Sequence, residues 1–334
     1  MRRALARSRA EILRPLLFAL DERLDRAARL AVDPVELPRL YLDKGDQEVA
    51  GLVAVSLAYG RAGLFKPVVR SVLEAMGPSP ASFSEAFARA PEPGLFAGAV
   101  YRFNRPADLA ALVAAIGSVR LRHGSLGARF GALYREHGES GRSSLRSALA
   151  DLARELREAP PVRPILRGAR RPDRGLKHLL PDASGPGASK RLHLYLRWMI
   201  RGPEAVDLGS WAKEGVPRSA LLVPLDTHLH RVSRCLGLTR RTQAGFRTAE
   251  EVTAALAEID PADPVRFDFA LCHLGMSGLC PARLDVGACL RCPLAPACRF
   301  GLSAGGGAPR TRNATDGRSS PRRRRASPRA APAR

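Results

Sequence analysis

Apolar positions recur at helical spacing along most of the chain, and no stretch sustains the alternation of a strand. Residues 9–31 carry Ile12, Leu13, Leu16, Leu17, Leu20, Leu24 and Leu30 with charges between them. This pattern predicts one amphipathic helix, ended by Asp33-Pro34. A second helix is predicted over 46–59, where Val49, Leu52, Val53, Val55, Ser56 and Leu57 make nearly every face apolar. It should be buried and central, closed by Gly60-Arg61. From Phe65 to Glu158 the helical pattern continues, with breaks at Gly77-Pro78, 91–94, Arg105-Pro106, 138–141 and Pro160-Pro161. The expected class is all-α, without a repeat of fixed period.

The second half has more punctuation. Residues 160–174 form a Pro- and Arg-rich connector in which Arg163, Arg167, Arg170, Arg171 and Arg174 stand against Asp173. It reads either as a solvated face or as a phosphate-contacting strip. It leads into Leu179–Arg191, where Gly185 and Gly187 permit a tight turn and the amides of a helix start can bind an anion. The helix that follows, to Ile200, carries Lys190, His193, Arg197 and Arg201 on one face and Leu192, Tyr195, Leu196 and Met199 on the other. The apolar face is expected inside and the basic face against phosphates. Residues 202–222, with Trp211, Pro203 and Pro217, form either a lid or a longer loop. Thr248-Ala249-Glu250-Glu251 has the spacing of a capping box, and Phe267 to Gly275 reads as one more helix.

Charge narrows the partners. The chain has 334 residues and a net charge of +22; its basic residues are 49 Arg and five Lys. The stretch from Gly301 to Arg334 holds nine Arg and one Asp, or +8, which leaves +14 on the first 300 residues. Exchange of Lys for Arg does not alter charge, so the excess is not a product of base composition. A polyanion is the expected partner, and for a soluble protein that is nucleic acid. No apolar run approaches membrane-spanning length, and Glu11, Asp21 and Glu22 interrupt the basic N-terminus before a targeting pattern develops. The expectation is a cytoplasmic, nucleoid-associated monomer. Residues 301–334, rich in Gly, Ser, Pro and Arg, are expected to be a disordered tail.

The cysteines carry the sharpest signal. Cys280, Cys289, Cys292 and Cys298 are spaced C-x8-C-x2-C-x5-C, so one short loop can surround a metal centre. Zinc suits four thiolates, yet zinc sites usually show two separated C-x2-C pairs. The uneven spacing suits a 4Fe-4S cubane better. A disulfide framework is the remaining reading, and nothing in the sequence indicates secretion. Cys235 and Cys272 lie in apolar helical patterns and read as small buried thiols.

Pro224-Leu225-Asp226-Thr227-His228, Arg231-Val232, Leu236-Gly237-Leu238 and the cysteine loop after His273-Leu274-Gly275 resemble the C-terminal half of helix-hairpin-helix (HhH-GPD) DNA glycosylases such as endonuclease III. Over about 15–300 the chain resembles still more a bacterial family of unknown function distantly related to them. That closer likeness is carried by Tyr101-Arg102-Phe103-Asn104, His123-Gly124-Ser125-Leu126, Lys190-Arg191-Leu192 and Leu196-Arg197-Trp198-Met199. Two departures stand out. The first cysteine gap is eight residues where endonuclease III-like loops have six, and Asp182-Ala183-Ser184 separate Leu-Pro from the Gly-x-Gly turn.

The resemblance implies a two-lobed fold. Residues 46–222 would form the hairpin-containing lobe, and 1–45 with 223–300 the lobe that holds the cluster. It implies duplex DNA contacts from Gly185, Gly187, Ser189, Arg191, His193, Arg197 and Arg201, and from Tyr59 and Arg61 at a helix end. Asp226 takes the place of the aspartate that acts near the sugar of a flipped nucleotide; its bland reading is a helix N-cap. Lys190 is near the place of the lyase nucleophile, but Ser189 occupies that place turn for turn. One residue is about 100° of helix, enough to aim the amine elsewhere, and phosphate binding is an equal reading. His228 and His230 read as structural or DNA-facing. Two functions stay open: excision of a damaged base, and non-catalytic binding of nucleic acid on the same scaffold.

Overall fold

The computed structural model describes residues 7–167, 172–283 and 285–299. Arg170, Arg171 and the whole of the 301–334 tail lie outside the described residues. Fifteen α-helices follow one another, and no strand occurs among the described residues; two isolated bridges join Tyr101 to Asn104 and Gly187 to Gly245. The helices are α1 (Arg7–Glu22), α2 (Arg26–Leu30), α3 (Lys44–Leu57), α4 (Ala62–Met76), α5 (Pro80–Arg89), α6 (Pro106–His123), α7 (Leu126–Glu136) and α8 (Arg142–Glu158). After them come α9 (Val162–Leu166), α10 (Pro172–Leu179), α11 (Lys190–Ile200), α12 (Thr227–Leu236), α13 (Phe246–Ala257), α14 (Asp268–Met276) and α15 (Val286–Arg291). Among the described residues no helix is long and apolar enough to cross a membrane.

Three helices make the centre. In α3 every residue from Asp46 to Leu57 but Gln47 is buried, as its pattern predicts. Helix α6 is buried from Asp108 to Arg120 and α11 from Leu192 to Ile200. Helix α5 lies close against α6: a Cβ added to Gly117 would meet the Ser84 carbonyl oxygen at 1.8 Å, so only glycine fits there. One contiguous hydrophobic core runs from Ala10 to Ala297.

The main internal polar junction is Glu48 of α3. Its Oε1 accepts from Leu126 N–H at 2.9 Å and pairs with Arg120 Nη1 at 2.6 Å; its Oε2 accepts from Gly127 N–H and Trp211 Nε1, at 2.8 and 2.7 Å. Ser125 caps α7 through Ala128 N–H, so the His123–Leu126 motif starts a helix whose free amides hold a buried carboxylate. Burial raises the Glu48 pKa, against those amides and Arg120. Trp211 stacks on Phe130 and is itself buried, so this part of the 202–222 segment is core and not a lid. Replacing Glu48 by Ala should cost about 3–5 kcal/mol, because it strands three N–H donors and leaves the buried Arg120 guanidinium with Glu85 as its remaining carboxylate. Urea unfolding checks this, and a loss below about 1 kcal/mol would refute it.

Three local expectations need correction. The predicted 9–31 helix is two helices, because Asp25 caps α2 by accepting Ala28 N–H at 3.1 Å. The second predicted helix begins at Lys44, capped by Asp43, and ends at Leu57, so Tyr59 lies beyond it. Helix α13 starts at Phe246 and not at the Thr248 box; Thr248 Oγ1 donates instead to the Gln243 carbonyl.

Candidate functional site

The start of α12 meets the start of α11. Asp226 is the N-cap of α12, in extended backbone, and its Oδ1 accepts Leu229 N–H at 2.7 Å. Its Oδ2 faces elsewhere, 3.5 Å from Lys190 Nζ and 3.4 Å from Cys272 Sγ on α14. One oxygen caps the helix while the other holds a salt bridge. The carboxylate is 14 % exposed and the lysine side chain 39 %, so the pair is reachable from solvent on the lysine side. Burial works against the Asp226 charge, but Lys190, the Leu229 amide, the Cys272 thiol and His228 outweigh it and lower the pKa below 3.8. The helix N-terminus adds to that. Burial and the Asp226 charge push the Cys272 thiol well up, so it stays protonated and donates.

Ser189, immediately before Lys190, adopts the left-handed conformation, φ 44°. Lys190 is the first residue of α11, and its amine stands beside the cap of α12. Helices α12 and α14 approach closely at Gly275, where an added Cβ would stand 2.9 Å from the His228 Cβ. His228 Nδ1 lies 3.3 Å from Arg231 Nη2, and His230 is buried with Nε2 on the Arg241 carbonyl, so His230 is structural. The arrangement offers an ionised carboxylate beside an ammonium. It can stabilise positive charge that develops nearby or hold a phosphate-bearing group beside the amine.

The cysteine loop closes against the other face of α12. Cys280, Cys289, Cys292 and Cys298 all line a cavity of about 460 Å³, and Cys235 joins them from α12. Cys235 Sγ is 3.8 Å from Cys280 Sγ. Reading Cys235 as an ordinary buried core thiol is therefore incorrect. Thr227, Arg231, Arg234 and Cys235 sit at i, i+4, i+7 and i+8, one helix face, and that spacing was visible in the sequence. Arg231 Nε donates to the Cys280 carbonyl at 2.6 Å and braces the loop entry, while Arg299 N–H donates to the Cys235 carbonyl at its exit. The Cys235 thiol, opposed by burial and helped by Arg231, brings Cys280 below the ordinary thiol range. Among the described residues no group of three or more His, Cys, Asp or Glu side chains is arranged so that it could hold a metal ion.

Beyond Lys190, the basic stripe of α11 does not face solvent. His193, Arg197 and Arg201 are buried, and this corrects their assignment as phosphate contacts. Arg197 Nη1 pairs with Asp268 Oδ1 at 3.0 Å and Nη2 with Asp207 Oδ2 at 3.3 Å. Arg201 pairs with Asp263 at 2.7 Å, with Glu204 at 3.1 Å and with Asp207. Burial raises Asp268 to about 6 even beside Arg197. Arg191 also turns inward, donating to the carbonyls of Ser56 and His178, which corrects its assignment too.

The remaining predicted contacts divide. Gly187 and Arg61 are exposed, and Gly185 and Ser189 half-buried. Tyr59 is half-buried in an aromatic group with Tyr101, Phe103 and His178, its hydroxyl 2.6 Å from Asn104 Oδ1. The Tyr101–Asn104 motif is thus a tight turn that leaves Phe103 46 % exposed beside Tyr59. Burial lowers His178 to about 4, so it is neutral at physiological pH.

No curated protein and no solved structure matches the chain. The model of one family, described as a protein of unknown function (DUF2400), matches residues 33–277. That is most of the chain, and the protein belongs to this family.

Proposed function

We propose that the protein is a DNA glycosylase of the base-excision type, with Asp226 and Lys190 at its centre and a 4Fe-4S cluster held by Cys280, Cys289, Cys292 and Cys298. The observation that carries the reading is the Lys190–Asp226 pair, 3.5 Å apart at two helix starts and open on one side. DNA would be bound through its backbone and the damaged nucleotide flipped out of the stack. The N-glycosyl bond then breaks with its electron pair leaving on the base. Asp226 stabilises the positive charge left on the sugar and takes the proton of the water that adds there. Lys190 either positions a phosphate or, in a lyase step, passes its ammonium proton to Asp226 and attacks the same carbon with the freed amine lone pair in place of water.

For the cofactor, five thiols around a cavity suit a polynuclear body, whereas one zinc ion needs four ligands within about 2.3 Å of one centre. The cluster would supply structural bracing to a basic surface. Protein purified without air should be brown, with broad visible absorbance. Colourless protein with stoichiometric zinc would reject the assignment.

The tail enters by charge alone. Truncation after Phe300 removes nine Arg and should flatten the salt dependence of DNA binding by loss of counterion release. An unchanged slope would mean the tail does not touch DNA.

A second reading has its own support. Both Asp226 oxygens already have partners, as a purely structural cap would. A non-catalytic iron–sulfur protein that binds DNA is the alternative. Cleavage of damaged oligonucleotides by wild type and by Asp226→Asn separates the two.

A further inference from the structure

Two loops far apart in sequence are stitched together beside the cysteine cavity. Gly187 pairs with Gly245 in an antiparallel bridge, and Phe246 N–H donates to the Pro186 carbonyl at 2.9 Å. Arg146 of α8 completes the junction. Its guanidinium donates to the carbonyls of Ala183, Ser184 and Gly185 and lies 3.6 Å from the centre of the Phe246 ring. The glycine turn is therefore not free to fold around a ligand by itself; it is one wall of a built groove.

The groove has a volume of about 680 Å³ and is lined by Arg146, Arg240, Arg241, Arg247, Thr242 and Gln243 together with backbone of both loops. Arg240, Arg241 and Arg247 are exposed, as are Thr242 and Gln243. No carboxylate lines it among the described residues. Glu251 stands nearby and pairs with Arg241 at 2.9 Å, which leaves the groove strongly positive. Thr242 also lines the cysteine cavity, whose lining includes Arg231 and Arg234, so the basic surface continues across to the cysteine loop.

We infer that this groove is a track for the sugar-phosphate backbone of duplex DNA, with Arg240 and Arg247 each neutralising a phosphate. The inference rests on the DNA reading above and moves the contact surface away from the buried Arg197 and Arg201. Guanidinium forks match phosphate oxygens, and the hydroxyl and amide of Thr242 and Gln243 add neutral donors. Such contacts position the duplex without reading its sequence. The same turn leads through Ser189 into Lys190, so the wall of the groove and the Lys190–Asp226 pair are joined by a few residues of chain.

The test is the full chain carrying both Arg240→Ala and Arg247→Ala, titrated against a fluorescent undamaged duplex over a range of salt. Each lost phosphate contact should make the slope of log K against log salt shallower by about 0.9, hence nearly 2 for both. Affinity should fall roughly tenfold per contact near 0.1 M salt, equally for unrelated sequences. Thermal melting should not change, since both side chains are exposed. A wild-type slope and affinity in the double variant overturns the groove assignment and leaves the DNA reading standing. Absence of duplex binding by wild type overturns both. Competition by poly-glutamate as strong as by unlabelled duplex overturns the choice of DNA in favour of acidic protein.

Discussion

Replacing Cys292 by Ser should strip the purified protein of its visible absorbance and of most of its iron and sulfide. Cys292 ends α15 in the middle of the loop, with Cys289 on one side and Cys298 on the other. A hydroxyl is a poor substitute for a thiolate toward iron, so iron should drop from about four per chain to well below one. The loop should also loosen and become sensitive to protease. The core around α3, α6 and α11 does not depend on it and should keep its helical signal. Cys272→Ser is the control, because that thiol faces Asp226 and not the cavity. Cys235→Ser is more informative. Under the assignment of the four C-terminal cysteines it retains iron; loss of iron there, with retention in Cys289→Ser, would place Cys235 in the ligand set instead.

Asp226→Asn should lower base release by orders of magnitude while leaving binding and folding nearly intact. The two oxygens of this side chain have separate jobs, so the substitution separates them. Asn keeps an oxygen for Leu229 N–H and caps a helix about as well as Asp. It loses the charge that faces Lys190 and that would oppose positive charge on the sugar. Melting should fall only by the small stabilisation that the lowered Asp226 pKa supplies, and duplex affinity should persist or rise. The lowered pKa also sets a pH expectation. A carboxylate depressed below 3.8 stays ionised through the neutral range, so activity that depends on it should not fall until pH drops below about that value. The same shift stabilises the fold above pH 3.8 and is lost as pH falls through the lower folded value. Equal loss of activity and of folding in the variant would leave Asp226 as a cap only.

The helical class was legible because a 3.6-residue apolar period is a local signal; α3 shows it in nearly every residue. The grouping of the C-terminal cysteines around one cavity and the helix start at Asp226 were legible for the same reason, since short-range spacing and capping are written within a few residues. The Arg197 and Arg201 face was not. Charges at helical spacing describe a solvated stripe and a buried ion network equally well, and the partners that decide it, Asp207, Asp263 and Asp268, come from later segments. The Lys190–Asp226 pairing was not legible either, because it joins two helix starts that are 36 residues apart in the chain. The break between α1 and α2 was masked by leucines that continue the period through Leu24, although Asp25 was a readable cap. Cys235 could have been found by projecting α12 as a helix, where it shares a face with Arg231. The Arg240–Arg247 groove could not, because it exists only where the 183–187 turn meets the start of α13.

The most direct measurement is single-turnover base release from a panel of duplexes, each with one damaged base, by wild-type protein in excess. At least one lesion should be released by wild type and released slower by orders of magnitude by Asp226→Asn, while both proteins fold at the assay temperature and bind that duplex. Tight binding of the whole panel by wild type with no base released from any member would contradict the glycosylase reading, and the protein would then be a DNA-binding member of its family without glycosylase chemistry.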